Sequence, residues 1–164
     1  MNRRIRDLAQ AYAQACNQEA LELLRTLGRI PTPTRREDLR AEFCRDWLLA
    51  QGARDVTIDM AKNVICKIGC EEHRELVAFA AHTDIVFPDE DTLPMREEAG
   101  RLYAPGIGDD TANLAVLLVL AAWFAQHAPR TEQGIVFVCN VCEEGLGNLK
   151  GTRALMRQWA ARTV

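Results

Sequence analysis

Leu76-Val77-Ala78-Phe79-Ala80-Ala81-His82-Thr83-Asp84 is an unbroken apolar run that ends on an imidazole and a carboxylate. Its apolar part reads as a buried strand, and in an open α/β sheet ligands bind in the crevice beyond the carboxyl ends of the strands. Two further stretches repeat the arrangement. Gly106-Ile107-Gly108-Asp109-Asp110 leads into the apolar segment Leu114 to Phe124, which reads as a helix, so Asp109 lies in the loop feeding a helix N-terminus. Ile135-Val136-Phe137-Val138 is a second strand-like run, and Cys139-Asn140-Val141-Cys142-Glu143-Glu144-Gly145 follows it. One histidine and several acids converging on one crevice suggest a metal.

Outward from these clusters, the chain supplies a scaffold. Ile5, Leu8, Tyr12, Cys16, Leu23 and Leu27 share the apolar stripe of a long helix that Gly28 stops. Pro31 and Pro33 force an extended linker, and Thr34 with Glu37 matches a capping box for a helix whose core stripe is Leu39, Phe43 and Trp47. Asp55 to Met60 alternates apolar and polar residues and Val64 to Ile68 is a second apolar run, so the two read as adjacent strands. His73 falls in a polar turn, where a solvated ring is expected. Phe87 to Gly100 is acidic, contains Pro88 and Pro94, and reads as a surface loop bordering the crevice.

The segment Ala112 to Gln126 is apolar nearly all round and should be a helix sandwiched between the sheet and another layer, with His127 suiting its C-terminal dipole. Leu149 to Ala160 closes the chain as a helix. Cys139 and Cys142, three apart on an extended segment, face opposite ways and read as packing residues instead of a zinc knuckle. Gly106 and Gly108 fit a tight loop that brings a carboxylate to a metal. A phosphate cradle there would want a third glycine or a Walker lysine, and neither is present.

Composition narrows the function classes. A chain of 164 residues, 48% hydrophobic, can bury one substantial core. A net charge of −3 without a basic run gives no electrostatic case for nucleic acid. By eye, no apolar stretch reaches the roughly 20 residues of a membrane helix. Met1 to Asp7 carries positive charge, but an amphipathic segment follows it in place of a signal core, and the six cysteines sit in apolar patterns that fit buried thiols in a reducing compartment. A cytoplasmic protein is expected.

The residue types assign themselves roles. Two metals about 3.5–4 Å apart need one bridging carboxylate, further imidazole and carboxylate ligands, and room for water. Asp109 suits the bridge. His82 and Glu144 then serve one metal each, Asp84 orients the His82 ring through its other nitrogen, and Glu143 is left free as general base toward a water that the metals acidify.

In order and spacing, His82-Thr83-Asp84, Gly108-Asp109-Asp110 and Glu143-Glu144-Gly145 resemble the aminoacylase, glutamate carboxypeptidase and acetylornithine deacetylase superfamily of di-zinc metallopeptidases. The resemblance implies an α/β three-layer sandwich with a central, largely parallel mixed sheet flanked by helices. It implies two zinc ions, with cobalt or manganese as alternatives, the same five residue roles, and a cis bond between Asp109 and Asp110. The implied reaction is hydrolysis of an amide in a small peptide or N-acyl amino acid. Many relatives have a lysine where this chain has Thr111, a difference expected to bear on substrate preference or loop packing. Relatives are considerably longer, so residues 1–164 are expected to be the N-terminal portion of the catalytic domain. A lid or dimerisation domain and a C-terminal catalytic segment with a further acid and a second histidine would lie outside it. Alone, the chain is expected to bind metal weakly, to be inactive, and to self-associate through an uncovered strand edge and the bare Ala112 to Gln126 helix. The competing expectation is a non-catalytic α/β binding or assembly module.

Overall fold

The computed structural model describes residues 3–71, 75–88, 91 and 93–160, so the expectation for His73 lies outside the described residues. In chain order the elements are α1 (Arg3–Leu27), α2 (Asp38–Ala50), β1 (Asp55–Ile58), β2 (Val64–Ile68), β3 (Leu76–His82), β4 (Arg96–Glu98), β5 (Arg101–Tyr103), α3 (Ala112–His127), β6 (Gly134–Asn140) and α4 (Lys150–Ala160). The sheet order is β1-β2-β6-β3. Parallel pairing is confined to β3 against β6, while β1 with β2 and β2 with β6 are antiparallel. The sheet is therefore mixed, and less parallel than expected. The connection from β1 to β2 is a tight turn and can only make a hairpin, whereas the passage from β3 to β6 runs through α3, long enough for a parallel crossover.

Alternation along the strands sorts the core into two faces. Val64, Cys66, Phe137 and Cys139 meet α1, α2 and α3, while Ile65, Val136 and Val138 meet Leu155 and Trp159 of α4. This gives helix, sheet and helix layers. As expected, α3 is sandwiched: Leu114 and Leu118 are fully buried, and Tyr12 of α1 donates a hydrogen bond to the Val119 carbonyl. The bare-helix expectation is thereby corrected, since α1 covers most of α3 and Val116 is its one large exposed apolar residue among those described. Together with the turn before it, Ile107–His127 is long and apolar enough by composition to cross a membrane, contrary to the reading by eye. Asp109 and Asp110 leave helical geometry, however, and the 16 residues of α3 span only about 24 Å at 1.5 Å per residue.

Four local expectations are corrected. First, β3 is not buried throughout. It is an edge strand, so Leu76 to Ala80 are exposed, with Phe79 at 42% and stacked on Phe137, and only Ala81 and His82 are covered. The buried strand is β6, covered along its whole length between β2 and β3. Second, the buried stripe of α2 is Arg40, Ala41, Cys44 and Leu48; Phe43 and Trp47 pack against the core at its flank as expected, but Leu39 is 62% exposed. Third, Thr34 and Glu37 form no capping box. Thr34 donates to Asp84, and the Glu37 carboxylate accepts from the backbone N–H groups of Arg35 and Cys142. Fourth, part of the segment read as a surface loop is the β4–β5 hairpin, turned at Ala99 and Gly100, both at positive φ, as a two-residue hairpin turn requires.

Other expectations hold. All six cysteines are free thiols, and Cys139 packs in the core. Cys142 lies past the end of β6, at positive φ, so its direction is not set by strand alternation as the sequence reading assumed. His127 occupies the last turn of α3, where its ring stacks on Trp123.

Candidate metal centre

Because β3 and β6 are parallel neighbours, with His82 opposite Asn140, both chains leave the sheet side by side at their carboxyl ends. Thr83 extends the pairing, its backbone N–H and its hydroxyl both donating to the Asn140 carbonyl. Just beyond, the fully buried Asp84 carboxylate accepts from the backbone N–H of Glu143 and of Glu144, at 3.0 Å each, and from the Thr34 hydroxyl at 2.9 Å. Asp84 thus staples the strand end carrying His82 to the loop carrying both glutamates.

The His82 ring is oriented from behind. Its Nδ1 lies 3.0 Å from the Asp84 backbone carbonyl and 3.7 Å from the Asp84 carboxylate. A carbonyl can only accept, so Nδ1 donates to it and Nε2 faces forward. The ring is held by Asp84 as the sequence suggested, but chiefly through the main chain. Nε2 faces Asp109 Oδ1 at 3.2 Å and Glu143 Oε2 at 3.8 Å. Burial opposes the charged ring, but the Asp109 hydrogen bond and the charges of Asp110 and Asp84 outweigh it, and the His82 pKa is raised. Glu144 is also raised, by burial and then by Asp109, with Glu143 and Asp84 adding to the effect and His82 opposing it. A carboxylate crowded by other acids holds its proton more tightly, and a cation placed among them would reverse that effect.

Asp109 is carried on a wide turn, Ile107–Thr111, and its side chain is 82% exposed at the open side of the cluster. The bond to Asp110 is cis. Asp110 turns back, accepting the His82 backbone N–H at 3.1 Å. Of the two glycines only Gly106 is required. It sits at φ +64 with Ile85 against its Cα, whereas a Cβ on Gly108 would meet nothing. One ligand atom each from His82, Glu143 and Glu144 lies within 4.8 Å of the others. An imidazole nitrogen with several carboxylate oxygens is a donor set suited to zinc, cobalt or manganese, so the residues fit the expected group.

Several supporting residues were not legible in the sequence. Asn63, fully buried in the β1–β2 turn, accepts from the Val141 N–H and donates to the Gly151 carbonyl. Arg40 is also fully buried, with Nη1 on the Thr83 carbonyl and the Thr111 hydroxyl. The expected effect of Thr111 on loop packing takes this form. The one available signal was spacing, since Arg40, Cys44 and Leu48 recur every four residues along one helix face.

Comparison with known proteins agrees with this architecture. The model of peptidase family M20/M25/M40 matches residues 78–163. The [LysW]-lysine hydrolase of Deinococcus radiodurans is 33% identical over 143 residues, 86% of this chain and 37% of that protein. Aminopeptidase PepT of Bacillus cereus superposes with a TM-score of 0.63 at 18% identity, covering 78% of this chain and 37% of its own. The YXEP protein of Bacillus subtilis, a dinuclear metal-binding peptidase, gives a TM-score of 0.57 at 17% identity, covering 85% and 40%. These structures share the fold, and the chain spans well under half the length of each protein. The family model covers every one of the three acidic clusters, and the chain belongs to peptidase family M20/M25/M40.

Proposed function

We propose that this chain carries the first part of a two-metal site that hydrolyses an amide bond in a small peptide or N-acyl amino acid. The observation that carries the reading is the convergence of His82, Glu143 and Glu144 within 4.8 Å, with Asp109 3.2 Å from His82. In it His82, Asp109 and Glu144 would hold the metals, and Asp84 fixes the ring and the glutamate loop. Zinc bound there would supply Lewis acidity and lower the pKa of water from 15.7 to about 7. Glu143 is an exposed carboxylate at the mouth, placed to take a proton from that water and deliver it to the leaving amine.

These three residues would supply fewer protein ligands than the three per metal usual for catalytic zinc. The reading therefore includes an acid and a second imidazole from a segment beyond residue 164, and activity in the longer protein only. The greater length of the relatives supports this. The six free thiols accord with a cytoplasmic setting. Calorimetric titration of this chain should show weak zinc binding that disappears in His82→Ala and Asp109→Ala. Zinc binding that survives both substitutions, or hydrolysis by the longer protein unaffected by chelation, would overturn the reading in favour of a non-catalytic module.

We further propose that a second copy pairs along β3. Among the described residues its outer edge has no strand neighbour, and Leu76, Val77 and Phe79 are exposed on it. Open apolar edges are templates for strand addition, and lysine blocks them. Sedimentation equilibrium at micromolar concentration should give a dimer or larger species, and Val77→Lys a monomer. A parent chain that is already monomeric would remove this proposal.

A further inference from the structure

Arg40 lies in the first turn of α2, on the stripe it shares with Ala41, Cys44 and Leu48, and is fully buried. Its guanidinium makes four hydrogen bonds. Nη1 donates to the Thr83 carbonyl at 2.9 Å and the Thr111 hydroxyl at 3.1 Å, and Nη2 to the carbonyls of Leu27 at 2.8 Å and Ile30 at 3.0 Å. None of these partners is a carboxylate. Burial pushes its pKa down to about 10, with Cys44 and Asp84 opposing, so the group stays charged at neutral pH.

A buried charge without a paired carboxylate is expensive, and a leucine or methionine would fill a helix stripe at no such cost. What arginine adds is a rigid planar fork that can hold several acceptors in fixed relation. The acceptors it holds are informative. Thr83 sits between His82 and Asp84, and Thr111 closes the turn that carries Asp109 and Asp110. The same Thr83 carbonyl also accepts from Thr32 at 2.9 Å, which ties the proline linker into the cluster.

We propose that Arg40 is a positioning residue for the metal centre, locking the His82–Asp84 strand end to the Asp109 turn from beneath. The role rests on the metal reading given above. With the lock in place the His82 Nε2 and Asp109 Oδ1 face each other at a set separation. Without it the two loops move independently and the ligands must be ordered by the metal itself.

Two measurements on this chain test it. Zinc titration should show affinity falling about 10–100-fold in Arg40→Met, the range for losing an outer support of a metal ligand. Thr111→Val, which removes a single bond and cannot empty the core, should give a smaller fall in the same direction, and Thr111→Ser should restore the parent value. Leu48→Ala, on the same buried stripe two turns further along α2, should lower stability and leave zinc affinity unchanged. Hydrogen exchange at 82–84 and 109–111 provides a readout free of metal. It should quicken at both segments together in Thr111→Val and in any folded Arg40 variant, while β1 and β2 stay protected. If Leu48→Ala weakens zinc as much as Thr111→Val does, or if the exchange of both loops is unchanged in folded variants, the proposal is overturned. Should the parent chain bind no zinc, the metal reading fails while coupled exchange still decides the lock.

Discussion

For the amide hydrolysis proposed above, measured in a chain that carries the completing segment, Glu143→Gln should slow the reaction by about 10²–10⁴-fold, the usual contribution of a positioned general base. Zinc affinity should stay at the parent value. The two effects separate because the Glu143 backbone, not its side chain, anchors the loop, through the hydrogen bond from its N–H to Asp84. Glutamine preserves the shape of the side chain and its reach to within 3.8 Å of His82 Nε2, but cannot accept the proton. Steady-state kinetics alongside calorimetric titration make the check. A retained kcat would move the base role to another carboxylate, whereas loss of zinc with loss of rate would make Glu143 a ligand.

Gly151→Ala should be among the damaging single methyl additions to the scaffold. Gly151 opens α4 with its N–H on the Val141 carbonyl and its own carbonyl accepting from Asn63. A Cβ there would stand 2.6 Å from the Val141 oxygen and closer still to Asn63 Oδ1, so either backbone or the buried amide must move. Overpacking of about 1–3 kcal/mol adds to about 1–3 kcal/mol for polar groups left unpaired, which gives about 2–6 kcal/mol. Val141 lies two residues before Glu143, so zinc affinity should fall with stability. Gly108→Ala, where a Cβ meets nothing, is the matched control and should be near neutral. Urea denaturation decides between them, and a Gly151 variant as stable as its parent would mean that the Asn63 turn yields freely.

The gathering of the candidate site residues was legible because it is written locally. Apolar runs at strand spacing declare β3 and β6, and the residues that follow such runs emerge at the sheet's end, so the sequence already brings His82, Asp84, Glu143 and Glu144 together. The apolar block before His127 likewise declares a helix with cover on both sides, which α1 and the sheet supply. A cis bond at Asp109 came from family resemblance alone, and the structure has it.

Partnership between distant segments was decided only by the fold. Apolar pattern measures how greasy a segment is, not how many neighbours it receives. A run that could have been a central strand therefore became the edge β3, and the helix stripe turned by one residue to bury Arg40 instead of Leu39. Polar residues are harder still, because a carboxylate or guanidinium is satisfied by whichever acceptors and donors the tertiary structure brings. Asp84 found the glutamate loop and Thr34, while Glu37 found Cys142. Arg40 found four oxygens from three different parts of the chain. The sequence by itself determined which groups are candidates for the chemistry, since reactivity belongs to residue type and to position at an element's end. The tertiary structure alone decided what holds those groups still, since hydrogen-bond partners far apart in the chain leave no periodic trace in it.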